Sequence, residues 1–208
     1  MWNDINNLYP ILWFDTINNF GNSHKQLTST DSWKSLVNSD IYDAVTFGGT
    51  PSWNTNNVQF NGASSVYYIR QNGQSTGFWN KICNTYWSVH VVANMSTLAT
   101  WYGICGGSEN SLDLIGLAFR SGSSTVLNIG ELYGILKRKN NVDIVTWDCP
   151  KSIVPINTIH CFDVIADNLK WYIYIDGILH IEYDLAQPYI FGQNYCFKIG
   201  SGWGAKTE

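Results

Sequence analysis

The chain has 208 residues, long enough for one large β domain or two small ones with a real core. Apolar residues make up 45%, aromatics 15% and charged residues only 13%, so the polar surface has to be built from Asn, Ser, Thr and Gly. A net charge of −4 gives no basic field for a phosphate backbone and argues against a nucleic-acid partner, and no run approaches the roughly 18 apolar residues that span a membrane.

In chain order, the N-terminus MWNDINNLYPILWFDTINN lacks the basic start, long apolar centre and small-residue cleavage site of a signal peptide. The expectation is a chain made in a cytosol, or a module cut from something longer. Pro10–Ile17 alternates and predicts a first strand, followed by a polar Gly- and Ser-containing loop over 18–30. Trp33 and Leu36 precede a polar turn around Asn38 to Asp40. Short strands are predicted at 57–60 and 65–70, each closed by an Asn-Gly pair. In the run YWSVHVVAN (86–94), Trp87, Val89, Val91 and Ala93 form a core-directed face, and Tyr86, Ser88, His90 and Val92 a mixed one. Further strands are predicted at 100–105, 114–120, 125–129, 133–138, 142–147 and 195–199. The basic triplet Lys137-Arg138-Lys139, followed by two Asn, reads as a solvated strand end.

The strongest local signal lies between Thr158 and Asp184. Three runs rich in Ile, Tyr, Trp, Val and Phe are separated by Ala166-Asp167-Asn168 and by Asp176-Gly177. Asp-Gly between alternating apolar residues marks a two-residue hairpin, because both central residues must tolerate positive φ. About a dozen short strands with no convincing helix, linker or repeat predict an all-β, antiparallel two-sheet jelly-roll sandwich forming a single domain over 1–208.

Several segments taken together resemble the concanavalin A-like lectin/glucanase superfamily in its laminin G-like branch. LWFDTINNFGNSHKQLTSTDSWKSLVNSD is similar to a leader found in such modules of phages and bacteria. Trp53 followed by VQFNG, then YWSVHVVANMS, then IHCFDVIADNLKWYIYIDGIL, then CFKIGSG follow the order of that module's strands. The resemblance spans almost the whole chain. It departs at the end: these modules close their first sheet with a further strand, whereas this chain stops at Lys206-Thr207-Glu208. Either the sequence is truncated there or a partner supplies the strand. The resemblance implies a non-catalytic, lectin-like adhesion module, binding a glycan or cell-surface receptor. The phage-like leader implies a virion component (tail fibre, head fibre or capsid decoration) in contact with other virion proteins, at the virion or extracellular surface. Weak single-site sugar affinity favours multivalent display as a homo-oligomer. The alternatives are a purely structural particle-assembly protein of the same fold and a glycoside hydrolase.

Catalysis has one hint. Glu182 and Asp184 alternate along a strand and so share a face, as the paired carboxylates of a retaining glycosidase must. The family's active strand carries a second Glu where Gln187 stands, and the pair follows the Asp-Gly hairpin, so both read as solvated side chains at a strand end. Calcium needs several oxygens, and the positions after Phe-x-Gly read Ala63-Ser64-Ser65, so no metal or cofactor is assigned. His24, His90, His160 and His180 show no metal spacing, and the last three read as half-buried, hydrogen-bonded strand residues. Cys83, Cys105, Cys149, Cys161 and Cys196 lack CxxC spacing and read as free, mostly buried thiols. Trp13, Trp33, Trp53, Trp87 and Trp171 are assigned to the core. Trp79, Trp101, Trp147 and Trp203 lie in or beside loops and are the candidates for stacking on sugar rings.

Overall fold

A computed structural model describes residues 12–19, 24–38, 40–60, 65–74, 86–94, 102–108, 114–120, 131–139, 142–145, 148–149, 157–185 and 196–200. They form fifteen strands: β1 (Ser32–Lys34), β2 (Tyr42–Gly48), β3 (Ser52–Trp53), β4 (Val58–Gln59), β5 (Ser65–Gln71), β6 (Tyr86–Ala93), β7 (Tyr102–Ser108), β8 (Leu114–Arg120), β9 (Glu131–Lys139), β10 (Val142–Val145), β11 (Asp148–Cys149), β12 (His160–Asp167), β13 (Lys170–Ile175), β14 (Ile178–Asp184) and β15 (Cys196–Ile199). There is no helix among the described residues. Every strand pairing is antiparallel, and the architecture is the predicted jelly-roll sandwich.

A nine-stranded sheet runs β1-β2-β5-β15-β7-β8-β9-β10, with β11 also on β9. A four-stranded sheet runs β14-β13-β12-β6, and β3 and β4 form a separate ribbon. The predicted double hairpin is the centre of the smaller sheet. Its Asp176-Gly177 turn has φ of 51° and 77°, and Asn168 sits at 53° in the turn before it. Asn72 and Gly73, at 51° and 81°, make the same two-residue turn after β5. Only residues that tolerate left-handed backbone allow these tight reversals.

The two sheets and the ribbon share one buried cluster. From the larger sheet it takes Trp33, Tyr42, Ala44, Tyr67, Ile69, Cys105 and Phe197; from the smaller, Phe162, Val164, Ala166, Trp171, Ile173 and Ile175. Trp33 is its hub, with ring centroids 5.1 Å from Trp53, 5.4 Å from Tyr67 and 5.3 Å from Phe14, all edge to face. Both buried indoles have acceptors: Trp33 Nε1 donates to the Asp15 carbonyl at 2.9 Å, and Trp53 Nε1 to the Tyr67 hydroxyl at 2.9 Å. Such aromatic pairs each add about 0.5–1.5 kcal/mol beyond their burial.

Two expectations fail in the N-terminal part. Pro10–Ile17 is not a strand where it is described. The Asp15 carboxylate accepts from the Ile17 and Asn18 amides at 2.6 and 2.9 Å, an Asx turn that bends the chain, and among the described residues the stretch's one backbone-to-backbone bond is Leu36 N–H to the Trp13 carbonyl, at 2.8 Å. Trp13 is therefore not a core residue but 40% exposed, and Phe14 is the side chain that reaches Trp33. In addition, β1 and β2 occupy stretches on either side of the turn at 38–40 to which the sequence reading assigned no strand, after the loop at 18–30. Asn19, wholly buried, ties that loop together by exchanging bonds of 2.6 and 2.9 Å with the Lys25 backbone. The strand predicted at 125–129 and the chain end at 201–208 lie outside the described residues; β15 itself sits mid-sheet, between β5 and β7.

Gly200 closes β15 at φ 86°, and a Cβ there would overlap the Phe60 ring. Gly200→Ala is expected to lose about 1–3 kcal/mol of stability in denaturant melts. Adding Phe60→Ala should relieve the overlap but leave the backbone strain, so the double variant should show a favourable coupling in a double-mutant cycle.

Candidate functional site

Each sheet has one face in the shared core and one outside it, and strand alternation decides which residues stand outside. On the smaller sheet, Trp171, Ile173 and Ile175 point inward, so Lys170, Tyr172 and Tyr174 point out. Register places His90, Asp163, Tyr174 and Leu179 in one outward row, and Ser88, Ile165, Tyr172 and Glu182 in the next. Asp163 is buried although it faces out, and His90 Nδ1–H donates to its Oδ1 at 2.6 Å. That bond raises the His90 pKa against the opposing effect of partial burial. At the far end of the face, Lys170 bonds Glu182 and lies 3.3 Å from Asp184. These two carboxylates, 44% and 78% exposed, hold the Lys170 ammonium well above its usual pKa range. The pair singled out for glycosidase chemistry is thus the solvated, lysine-tied end of an exposed sheet face.

The outer face of the larger sheet is different. Tyr67 and Ile69 are in the core, so Tyr68 and Arg70 must emerge on the other side. In register with Tyr68 stand Val45 on β2 and Lys198 on β15; in register with Arg70 stands Asp43, itself opposite Lys34. Arg70 holds Asp43 with two bonds, Nε to Oδ1 at 3.0 Å and Nη2 to Oδ2 at 2.6 Å, and Lys34 Nζ lies 3.6 Å away. Burial would push the Asp43 carboxyl up, but the guanidinium and then Lys34 outweigh it and hold the pKa below its ordinary value. Tyr68 and Lys198 lie outside the core cluster, yet they are only 8% and 5% exposed, with the Lys198 ammonium 5.2 Å from the centre of the Tyr68 ring. The next two positions across the ladder from Lys198 are Gly106 and Gly116, which leave bare backbone beside it. A buried aromatic ring, a buried cation, a forked Arg–Asp pair and two glycine positions therefore share one sheet face. Of that set, the Arg70 side chain, 30% exposed, is the one that can present hydrogen-bonding groups to a polar ligand.

Trp79, Trp101, Trp147 and Trp203 all lie outside the described residues. Trp33, Trp53 and Trp171 are buried as expected, and Trp87 is half-buried against the core, 5.4 Å from Trp171. His160 is buried, donating from Nδ1 to Asp176 at 2.7 Å, while its Nε2 has no hydrogen-bond partner. Cys105 and Cys161 are free thiols, and burial pushes Cys105 up to about 12, far from thiolate reactivity. Among the described residues no three His, Cys, Asp or Glu side chains gather as metal ligands. Tyr68, Arg70 and Lys198 were not singled out from sequence. The signal was present in SVYYIRQ, where fixing Tyr67 and Ile69 inside leaves Tyr68 and Arg70 outside; the role of Lys198 needed the β15–β5 register.

No family model matches the chain, and no curated protein matches it. Among solved structures it is similar to domain 4 of AbnA, an extracellular GH43 arabinanase from Geobacillus stearothermophilus solved with arabinotriose, at 15% identity and TM-score 0.59 over 83% of this chain and 79% of that one. Weaker likenesses include the carbohydrate-binding module CBM66 from Bacillus subtilis (10% identity, TM-score 0.44, 78% and 90% covered) and the Bacillus licheniformis β-glucanase (12%, 0.42, 95% and 88%). At these identities the likeness establishes the sandwich fold alone, and the two weaker ones are too distant to argue from.

The two ion pairs set opposite pH limits. Because the folded His90 pKa is raised, its stabilisation is complete below the ordinary 6.5 and lost as pH rises through the folded value. Because the Asp43 pKa is lowered, its contribution is present above 3.8 and lost as pH falls through the folded value. Urea midpoints across pH should decline on both flanks, and His90→Gln should flatten the neutral flank only; an unchanged neutral flank in that variant would refute the His90 assignment.

Proposed function

We propose that this chain is a single-domain, non-catalytic lectin-like module of the laminin G-like kind, spanning 1–208, whose ligand is a glycan lying on the outer face of the larger sheet. The observation that carries the reading is the pairing of buried Tyr68 and Lys198 on a face outside the core, beside the bare strip of Gly106 and Gly116 and the Arg70–Asp43 fork. A sugar offers hydroxyls to forked polar groups, and the Arg70–Asp43 pair on this face is such a group. Strands β5, β15, β7 and β8, the middle of the sheet, contain no Asp or Glu, so a two-carboxylate glycosidase has nowhere to stand on them. The binding of arabinotriose by the similar arabinanase domain is in keeping with this reading. Trp79, Trp101, Trp147 and Trp203 remain the sequence candidates for stacking on the sugar. The phage-like leader and the uncharged Asn-, Ser-, Thr- and Gly-built surface support a virion component displayed as a homo-oligomer against host or environmental glycans.

A particle-assembly role has its own supporting observation. The outer face of the smaller sheet exposes Tyr86, Val92 and Leu179, with Ile159 and Ile178 at its end. A chain that binds no glycan but self-associates, with association abolished by Val92→Lys in sedimentation, would establish that role instead.

A glycan array with the chain displayed multivalently should yield binders, with Trp79→Ala and Trp147→Ala each weakening them by about 1–3 kcal/mol if they stack on sugar. The same polysaccharides incubated with the chain should release no soluble fragments; catalytic release would overturn the non-catalytic reading.

A further inference from the structure

We infer that the outer face of the smaller sheet carries a second binding site, for a neutral oligosaccharide, centred on Asp163, Tyr172 and Tyr174. It stands independently of any site on the larger sheet. Register sets Asp163 directly between His90 on β6 and Tyr174 on β13, with Ser88, Ile165 and Tyr172 in the neighbouring row. Two inter-strand spacings by one alternate-residue step make this patch about 10 Å by 7 Å, the scale of a short sugar chain. Tyr172 and Tyr174 are half-buried, Ser88 is exposed, and Leu179 beside Tyr174 is 45% exposed, so the patch is open to solvent.

The fold leaves several polar groups of this patch uncommitted. Asp163 is only 3% exposed and its Oδ1 accepts from His90, yet among the described residues its Oδ2 has no hydrogen-bond partner. The one unpartnered side-chain atom sealed from solvent among the described residues is His160 Nε2, so Asp163 Oδ2 must open on the outer face. The hydroxyls of Ser88, Tyr172 and Tyr174 likewise have no partner among the described residues. A nearly buried carboxylate oxygen without a donor costs stability, and a hydroxyl donated by a ligand supplies what is missing. Side-chain hydroxyls that both donate and accept, set among Ile165, Leu179 and two tyrosine rings, match sugar hydroxyls and sugar C–H faces together. The surrounding charges select against an anion. His90 is held on Asp163, and Lys170 on Glu182 and Asp184, with Asp167 in register opposite Lys170. At that end three carboxylates stand against one ammonium, which disfavours a sugar acid or a phosphate.

The test titrates the wild-type chain with arabinotriose, mannotetraose and cellotetraose, and with trigalacturonate as the charged counterpart, while amide NMR locates whichever sugar binds. At least one neutral oligosaccharide should shift the amides of Ser88, Asp163, Tyr172 and Tyr174, and trigalacturonate should not. Tyr172→Phe and Tyr174→Phe remove hydroxyls that hold nothing in the protein. Each should melt at the wild-type temperature yet bind about threefold to tenfold more weakly. Asp163→Asn should cost about tenfold or more, because a charged acceptor is lost; if it does not fold, the two tyrosine variants decide. Wild-type affinity in both tyrosine variants would overturn the site, as would the absence of these shifts with all three neutral sugars. Shifts confined to Asp43, Tyr68 and Arg70 would place the sugar on the larger sheet alone, overturning this site and leaving the other standing. Equal binding of trigalacturonate at the same amides would overturn the neutral preference. Self-association that shifts these amides without sugar, and that no sugar reverses, would assign the face to protein contact instead.

Discussion

The aromatic cluster around Trp33 fixes which way every strand of the larger sheet faces. Tyr67 is wholly buried because Trp33 and Trp53 pack against its ring and its hydroxyl accepts the Trp53 indole N–H. A strand's side chains alternate with period two, so once Tyr67 is inside, Tyr68 cannot be. Slipping β5 by one residue would strand the Trp53 indole without its acceptor and drive Arg70 into the core, a penalty of several kcal/mol. The packing of one tyrosine thus decides that Tyr68 and Arg70 stand on the outer face, and the ladder then carries the same choice to Asp43, Lys198, Gly106 and Gly116.

How far the sequence alone revealed this depended on where the physical signal is local. The double hairpin was legible because its turns demand particular residues: Asp176-Gly177 and Asn168 do sit at positive φ. The strand at 86–93 was legible because its alternation is clean, and Trp87, Val89, Val91 and Ala93 do face the core. The N-terminal region misled for the same kind of reason. PILWFDTI alternates, but Asp15 diverts its own backbone into a turn, a local competition that a hydrophobic pattern does not register. The strand at 42–48 was overlooked because Gly48-Gly49 and the preceding polar turn dominate its surroundings, while its support comes from seven cross-strand partners on β5, far along the chain.

The outer-face residues were less legible still. Lys198 sits in a four-residue strand whose pattern offers no hint that a lysine is buried there. Its setting comes from two neighbours distant in sequence, β5 on one side and β7 on the other. The carboxylate pair that alternation did pick out, Glu182 and Asp184, shares a face as expected, yet it is the exposed face of the smaller sheet, and one lysine ties both down. Period-two reasoning places two groups on the same side of a strand. It does not say which side of the protein that is, and catalysis depends on the second question.

The two outer faces differ in how their charges are handled, and this separates their roles. On the smaller sheet His90 is matched with Asp163, and Lys170 with Glu182 and Asp184. Matched pairs offer little field to a ligand. Much of what remains on that face is apolar or neutral, which suits contact with an uncharged ligand or another protein surface. Among the described side chains on the larger sheet's outer face, Arg70 and Lys34 share Asp43, and Lys198 is buried against Tyr68. Burying a cation outside the core carries a desolvation cost that a hydrophobic residue of similar size would avoid.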